Sequence, residues 1–304
     1  AAVTPPTADG DVRQCDSTGF TFAGSDFYRD SDTDPVAAVV FGKPSAGHLL
    51  RNLSHGIGTA ADGEKYYTNS ASQGDYHVST LSYLPDAGYM GQATIPVTYI
   101  TAAGIETTGV IKISVSTKTD SAQFKDVTRS NVGTWAADAV DFAYHFGLVS
   151  GVSKTEFAPN SPMTRAQLVT VLYRAAGSPS VTVSTNFEDL DVGSYYYSAV
   201  VWANVNGIVN GTSDTTFSPD SRLTRQQLAA ILYRYARAFG GDTSYTGNLN
   251  HFTDRHQVDS YATTPMIWAV SHEIISGTSD TTLSPLSTAT RAQVVVILHR
   301  YLTD

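Results

Sequence analysis

The C-terminal 180 or so residues repeat one series of motifs three times, and this repetition restricts the possible folds more than any other feature. In each copy a glycine is followed eight residues later by a proline and six residues after that by an arginine. These landmarks are Gly151, Pro159 and Arg165, then Gly211, Pro219 and Arg225, then Gly277, Pro285 and Arg291. A unit this short cannot bury all its apolar surface alone, so the copies are expected to pack together. The predicted repeats span 124–176, 187–238 and 252–302.

Each repeat is predicted to contain a helix, a loop and a second helix. In repeat 1, Trp135, Ala139 and Phe142 recur at helical spacing. The second helix opens with Thr164-Arg165-Ala166-Gln167, a capping box that recurs at Thr224 and Thr290. The C-terminal region is therefore predicted to be all-α.

The capping box explains its threonine and its glutamine but not its arginine. A cation in the first turn meets the positive end of the helix dipole, at a cost of roughly 0.3–1 kcal/mol. Free amide groups beside a guanidinium would form a site for a carboxylate or a phosphate. The competing explanation is an ion pair with the aspartate that occupies one equivalent position in each repeat. These aspartates are Asp126, Asp189 and Asp254.

Two sets of aromatic residues also recur. Phe142, Trp202 and Trp268 lie within an apolar helical face and are expected in the core. Trp135, Tyr195 and Tyr261 lie at the start of the first helix. There a half-exposed ring could stack on a sugar, and core packing is an equal alternative.

The N-terminal region differs in kind and is predicted to be all-β. Alternating apolar runs occur at 36–41, 76–84, 93–100 and 109–115, separated by turn residues. Short strands at this spacing favour an antiparallel sandwich. The predicted layout is an extended segment over 1–21, a sandwich over 22–117 and a polar linker before the repeats.

Composition excludes several classes of protein. The net charge of −9 argues against nucleic acid as a partner. No apolar run approaches the ~18 residues of a membrane span. The single cysteine, Cys15, rules out a disulfide within the chain, which leaves a free thiol or an intermolecular bridge. Charged residues make up only 15%, which suits an exported surface protein, and any signal peptide is expected to have been removed.

Taken together, the motifs over 124–302 resemble the S-layer homology (SLH) domain family. The resemblance rests on the aromatic-x-Asp triplet, the glycine, the Phe-x-Pro loop and the Thr-Arg-Ala-Gln box, three times in order. It implies a pseudo-threefold assembly whose grooves bind a secondary polysaccharide of the bacterial cell wall, typically pyruvylated. The pyruvate ketal is a carboxylate, which matches the anion site considered above.

The resemblance implies a set of glycan-binding residues. The motif arginines are Arg165, Arg225 and Arg291, of which Arg165 and Arg225 are expected to clamp the ketal. The aspartates named above would orient them or bind sugar hydroxyls, and the ring at the start of the first helix would lie on the sugar. The candidate set is completed by Gly151, Gly211 and Gly277. Repeat 3 departs from the pattern at Pro265, Glu273 and Leu283, so the third groove is the least certain to bind.

Repeat 2 departs at one position, with Gln226 where the other repeats have alanine. Residues 22–115 resemble a bacterial cadherin-like (Ig-like) sandwich, on the segments 25–35, 44–50 and 81–99. In this region Asp30, Asp32 and Asp34 alternate. Calcium bound by these residues, with Asp26 as a further candidate ligand, is one interpretation, and a solvated acidic turn is the other. No other cofactor is expected.

The sequence lacks the common catalytic motifs, so an enzyme is not predicted. The leading hypothesis is a secreted bacterial surface protein, anchored without a covalent bond to the wall through its glycan. The second is a structural subunit that self-associates into a lattice or filament. In that case residues 1–20 could add as a strand to a neighbouring molecule.

Overall fold

The computed structural model describes residues 12–15, 19–27, 34–53, 56–60, 62–68, 71–86, 89–116, 121, 123–132 and 134–303. Its backbone contacts divide into two compact units. The first contains Ala1–Ala122 with Thr128–Phe146, and the second contains Gln123–Val127 with Gly147–Leu302. The division therefore passes through the first sequence repeat.

The first unit contains two β-sheets. The strands are β1 (Val12–Cys15), β2 (Phe20–Thr21), β3 (Val36–Phe41), β4 (His48–Leu53), β5 (Gly56–Thr59), β6 (Lys65–Tyr67), β7 (Leu81–Leu84), β8 (Gly91–Thr101) and β9 (Glu106–Val115). One sheet has the order β1-β9-β8-β3-β6 and the other β2-β7-β4-β5. The prediction of a β-rich N-terminal region is confirmed.

The core of this unit follows from the alternation of its strands. Along β8 the side chains of Ala93, Ile95, Val97 and Tyr99 are buried, while the residues between them are more exposed. Successive strand residues point to opposite faces, so this face meets apolar residues of both sheets. The core cluster also includes Phe41 and Tyr66 from the first sheet and Leu49, Leu81 and Tyr83 from the second.

One expectation for this region does not hold. The run 76–84 is a strand only over Leu81–Leu84, and Val78–Thr80 forms a 3₁₀ turn. The ring of His77 accepts a hydrogen bond from the Ser79 N–H there, and such local side-chain bonds compete with strand pairing. Residues 12–15 form β1, which pairs in parallel with β9 and lies at the edge of its sheet. Cys15, the single cysteine of the chain, is buried in that strand.

The helices are α1 (Arg129–Val132), α2 (Thr134–His145), α3 (Arg165–Ala175), α4 (Tyr197–Val205), α5 (Arg225–Ala238), α6 (Thr263–Ser271) and α7 (Arg291–Thr303). Helices α1 and α2 belong to the first unit and the others to the second. Helices α3, α5 and α7 are the second helices of the three repeats. The prediction of a helical C-terminal region is confirmed.

The predicted capping boxes are present at all three second helices. Thr164 Oγ1 accepts from the Gln167 N–H at 3.2 Å, and Gln167 Oε1 accepts from the Thr164 N–H at 3.0 Å. The same reciprocal pair forms at the starts of α5 and α7. This arrangement satisfies two backbone donors that the helix itself cannot.

The segments before these helices are joined in a closed ring of backbone hydrogen bonds. Met163 N–H donates to Ala289 O at 3.0 Å, Ala289 N–H to Leu223 O at 2.9 Å and Leu223 N–H to Met163 O at 2.9 Å. Each repeat contributes one residue to the ring. The starts of α3, α5 and α7 are thereby held next to one another.

Candidate functional site

The aspartate of each aromatic-x-Asp triplet holds the Phe-x-Pro loop of its own repeat. Asp126 accepts from the Phe157 N–H at 2.8 Å and from the Ala158 N–H at 2.7 Å. Asp189 and Asp254 make the same two bonds in repeats 2 and 3. The second donor of each pair has a positive φ, from 55° to 61°. Each carboxylate therefore stabilises a loop that contains a strained residue.

The motif arginine of each repeat reaches the loops of the next repeat. Arg165 Nε donates to Phe217 O at 3.0 Å, and its Nη2 donates to Asn210 O at 3.1 Å. Arg225 makes the same bonds to Leu283 O and Ser276 O, and Arg291 to Phe157 O and Ser150 O. All three arginines are buried. Repeat 1 is bonded to repeat 2, repeat 2 to repeat 3, and repeat 3 to repeat 1.

The aspartates and arginines are thus linked through the loops. The aspartate fixes the Phe-x-Pro loop, and the arginine of another repeat binds a carbonyl of that loop. The only ion pairs within 4 Å among the residues that the structure describes lie in the first unit, and none joins these partners. Burial lowers the pKa of Arg291 and Arg225, and the charges of Asp126 and Asp254 respectively oppose that effect.

The helix N-termini do not offer the free amides that the sequence analysis expected. Arg165 N–H donates to Ser221 O and Ala166 N–H to Pro219 O, each at 3.0 Å. Equivalent bonds occupy the first two amides of α5 and α7, and the third amide of each helix binds the capping threonine. An anion at these repeats must therefore be held by side chains.

The glycines of the candidate set have a steric role. A Cβ atom on Gly211 would lie 2.1 Å from Ser213 O and 2.7 Å from a ring atom of Phe187. Gly151 and Gly277 are equally crowded by their own loops and by Phe124 and Phe252. A side chain at these positions would displace the loop from which the motif arginine takes one of its carbonyl acceptors.

A cavity of about 200 Å³ lies beside one motif arginine and contains residues of all three repeats. Its lining includes Arg174 from repeat 1, Tyr195 from repeat 2 and Arg291 from repeat 3, together with Gln167 and Thr170. Tyr195 is 65% exposed at its rim. We call this the first groove.

The charges in the first groove act on one another. Burial of the hydroxyl raises the pKa of Tyr195, as does Asp220, while the charges of Arg174 and Arg291 oppose the rise. Arg174 Nη1 donates to Leu148 O, and Arg291 Nη1 takes no part in the two cross-repeat bonds. The groove thus combines two cations with an exposed aromatic ring.

The equivalent residues one repeat further on are Arg165, Arg234 and Tyr261, and we call this set the second groove. Burial lowers the pKa of Arg165, and the nearby charge of Arg234 lowers it further. Burial raises the pKa of the Tyr261 phenol, and Arg165 and Arg234 oppose that rise. Tyr261 is 45% exposed. The same three residue types therefore lie close together at both positions.

Sequence reasoning missed Arg174 and Arg234. Each lies nine residues after the motif arginine of its own repeat, on the last turns of the second helix. An arginine ends the Leu-Tyr-Arg or Leu-His-Arg triplet of every repeat, and this recurrence could have identified both residues as candidates. The side chain of Trp135, the third predicted ring, lies outside the described residues.

The predicted calcium residues are described only in part. Asp30 and Asp32 lie outside the described residues. Asp26 forms an ion pair with Arg13 and accepts from the Ala23 N–H, and Asp34 accepts from the Ala103 N–H at 2.9 Å. Within the described ranges, no cluster of three or more metal-ligating side chains occurs.

None of the helices in the described part of the chain has the length and apolar character needed to cross a membrane. This finding agrees with the apolar runs of the sequence, which are all short.

Comparison with known proteins agrees with the repeat pattern. The family model of the S-layer homology domain matches residues 123–169, 187–229 and 251–295. The surface-layer 125 kDa protein of Lysinibacillus sphaericus is 27% identical over 201 residues, which are 65% of this chain and 16% of that protein. The cellulosome-anchoring protein of Acetivibrio thermocellus is 24% identical over 164 residues, 52% of this chain and 36% of that protein.

An endoglucanase of a Bacillus species is 25% identical over 181 residues, 60% of this chain and 19% of the enzyme. The chain thus covers well under half the length of these curated relatives. The three matched segments fall on the three sequence repeats and include Arg165, Arg291, Tyr195 and Tyr261, whereas Arg174 and Arg234 lie just beyond them. The C-terminal region of this chain is therefore similar to the S-layer homology domain family in three successive segments.

Proposed function

We propose that this chain is a non-catalytic cell-surface protein, anchored to the bacterial cell wall by a wall polysaccharide that binds in its two grooves. The observation that supports this most directly is the first groove, where Arg174, Arg291 and the exposed Tyr195 surround one cavity. Two relatives that share the SLH region are named as a surface-layer protein and as an anchoring protein. The enzyme among them matches over only 19% of its length.

The arginine pairs favour an anionic ligand. Two guanidinium groups that are partly removed from water repel each other, and a carboxylate between them relieves that repulsion. Arginine presents a planar set of donors that matches a carboxylate in two-point geometry. The ligand is accordingly a sugar that carries a carboxylate, of which the pyruvate ketal of a secondary wall polysaccharide is the leading candidate.

The tyrosines would supply the apolar part of the site. An exposed aromatic ring offers a flat face at small entropic cost, since it has few rotatable bonds. Tyr195 and Tyr261 would lie against the sugar ring while the arginines hold its carboxylate. This assigns the motif arginines Arg165 and Arg291 two tasks, one to bridge repeats and one to present a charge to the ligand.

In the same proposal the cyclic bonds between repeats support a pseudo-threefold assembly of the SLH region. Arg225 would belong to a third groove with Arg300, whose Nη1 donates to Glu273 O and Ser276 Oγ. Leu283 stands where Phe157 and Phe217 stack under the other two motif arginines. The third groove is therefore proposed as the weakest.

The experiment is co-sedimentation of the full chain with purified Gram-positive cell walls, before and after acid extraction of the secondary polysaccharide. Binding should be lost on extraction. The double variant R174A/R234A should bind native walls at least a hundredfold more weakly, because both pairs are then broken. R237A removes the same charge from an exposed position of α5 and should bind like the unaltered chain. Equal binding by R174A/R234A would refute the proposal.

A second function is proposed beside the first, in line with the relative that is named as a surface-layer protein. The chain would self-associate into a lattice or filament, with calcium in its N-terminal region as one condition for assembly. Electron microscopy of the purified chain with and without calcium tests this. Ordered arrays support assembly, and isolated particles in both conditions oppose it.

A further inference from the structure

The two grooves differ at one buried residue. Gln226 follows the motif arginine of repeat 2, where repeats 1 and 3 have Ala166 and Ala292. A long polar side chain at this position is only 3% exposed, so it needs hydrogen-bond partners inside the protein.

Its partners belong to the segment that carries Tyr261. Gln226 Nε2 donates to Asp259 Oδ2 at 2.7 Å, and Gln226 Oε1 accepts from the Asp259 N–H at 2.9 Å. Asp259 is the N-cap of the 3₁₀ turn Ser260–Ala262. One side chain of repeat 2 therefore fixes both the backbone and the carboxylate at the start of the turn that contains Tyr261.

The first groove has no such connection. The residue two positions before Tyr195 is Gly193, which has no side chain to bind, and the residue equivalent to Gln226 is Ala166. The turn before Tyr195 is held by Asp191, which accepts from the Gly193 N–H and, through its carbonyl, from Ser194. These bonds are local to one repeat. Tyr195 is also the more exposed of the two rings, at 65% against 45% for Tyr261.

We propose that Gln226 is a positioning residue that preorganises the second groove by tying the Tyr261 turn to helix α5, so that the second groove binds the carboxylated sugar more tightly than the first. This inference rests on the proposed function, because it assumes that both grooves take this ligand. A ring that is already fixed loses less freedom on binding, and each immobilised side chain costs ~0.5–1.5 kcal/mol.

The test measures each groove separately in the full chain. R174A leaves the second groove intact, and R234A leaves the first. The probe is the methyl glycoside of pyruvylated N-acetylmannosamine, titrated by calorimetry. In the R174A background, Q226A should weaken binding about threefold to tenfold, in line with the ordering cost of one side chain. In the R234A background, Q226A should leave the affinity for the probe unchanged.

A second pair of variants tests whether exchanging the amide and the carboxylate between positions 226 and 259 restores binding. Q226E places a second carboxylate against Asp259 and should weaken the second groove at least as much as Q226A. Q226E/D259N restores one amide and one carboxylate with their positions exchanged, and it should recover most of the affinity. A merely destabilising change at residue 226 would affect both backgrounds and would not be rescued in this way.

The calorimetric results distinguish failure of the proposed function from failure of the positioning role of Gln226. If the R174A chain does not bind the probe, the proposed function fails, and this inference fails with it. If the R174A chain binds and Q226A leaves its affinity unchanged, the inference alone is overturned. It is overturned as well if Q226A weakens both backgrounds equally, or if the R234A chain binds more tightly than the R174A chain.

Discussion

At the scale of single residues, the motif arginines show how one side chain can satisfy two demands. The sequence suggested that the arginine either binds an anion or pairs with an aspartate. In the structure, two of its side-chain nitrogens donate to backbone carbonyls of the next repeat. The aspartate acts on the same loop from the other side. This cross-repeat geometry could not be predicted from spacing within one repeat, because the partner carbonyls lie 45 to 141 residues away along the chain.

Removal of a motif arginine should therefore destabilise the protein as well as weaken ligand binding. R225A removes two charge-assisted bonds to Leu283 O and Ser276 O and leaves both carbonyls without their donor. We expect the free energy of unfolding to fall by about 3 kcal/mol, measured by urea denaturation. R222A, three residues earlier and exposed, should change it by less than about 0.5 kcal/mol. Equal stability of R225A and the unaltered chain would contradict the bridging role.

The loop aspartate of repeat 3, Asp254, should make stability depend on pH in the acid range. Burial opposes ionisation of Asp254, but the N–H groups of Leu283 and Ser284 outweigh it and hold its pKa below the usual value. A group whose pKa is lower in the folded state stabilises the fold above its unfolded pKa of about 3.9. That contribution disappears as the pH falls through the folded-state pKa.

D254N should thus be less stable than the unaltered chain at pH 7, and the difference should shrink as the pH falls below about 4. Thermal unfolding of both proteins across this range measures the change. D280N alters an exposed aspartate of the same repeat and should follow the unaltered chain at every pH. A difference that stays constant down to pH 2 would show that the carboxylate does not stabilise the loop.

At the scale of elements, the sequence best predicted those helices and strands whose positions follow from hydrophobic periodicity and helix caps. The three capping boxes and the strands β3, β8 and β9 lie where the pattern placed them, within a few residues. Val78–Thr80 was predicted wrongly because a side-chain bond there replaces strand pairing. The grooves were found only in part, since Arg174 and Arg234 lie a long way along the chain from the rings that they face.

Residue 273 shows a local conflict between sequence and fold. Gly147 and Gly207 end the first helices of repeats 1 and 2 with φ near 66° and 68°, and Glu273 adopts 56° at the same place. Repeat 3 departs from the sequence pattern at this residue, but its backbone takes the same left-handed conformation. A residue with a Cβ atom pays about 1 kcal/mol or more for it.

E273G should therefore raise the free energy of unfolding by about 1 kcal/mol, and G207A should lower it by a similar amount. A Cβ atom at Gly207 would have no other atom within 4 Å, so only the backbone conformation decides the effect. Denaturant unfolding of the two variants provides the measurement. A stabilising effect of both changes, or of neither, would be inconsistent with this explanation.

At the scale of the whole molecule, the compact units do not coincide with the sequence domains. Thr128–Phe146, which includes α2, falls in one compact unit with Ala1–Ala122, although its sequence belongs to the first repeat. His145 Nε2 lies 3.3 Å from Thr21 Oγ1 within this unit. A fragment that begins at residue 118 would therefore separate α2 from the strands.

In the fragment 118–304, the amides of α2 should exchange with solvent at least tenfold faster than in the full chain, because that helix then lacks its contacts with the strands of its own unit. The amides of α5 should be much less affected, since its capping and cross-repeat bonds lie within the second unit. Hydrogen exchange read by mass spectrometry distinguishes the two helices. Equal protection of α2 in both proteins would show that the helix is stable without the strands.

Two grooves on one chain make the mode of binding depend on the ligand's length. If both grooves bind the wall glycan as proposed, a polysaccharide with many carboxylated units occupies both of them. The second contact is then intramolecular, which would raise the apparent affinity by about 10²–10⁴ over either groove alone. A single sugar gains nothing from the second groove. R174A should therefore roughly halve the number of monosaccharides bound and leave the affinity of the remaining site unchanged.

For the polymer, the same substitution should lower the apparent affinity at least a hundredfold. Calorimetry with the monosaccharide and surface binding with the purified polysaccharide provide the two values. The R237A chain should match the unaltered protein in both assays. If R174A weakened polymer and monosaccharide equally, the two grooves would not act on one strand of polysaccharide, and each would have to anchor the chain independently.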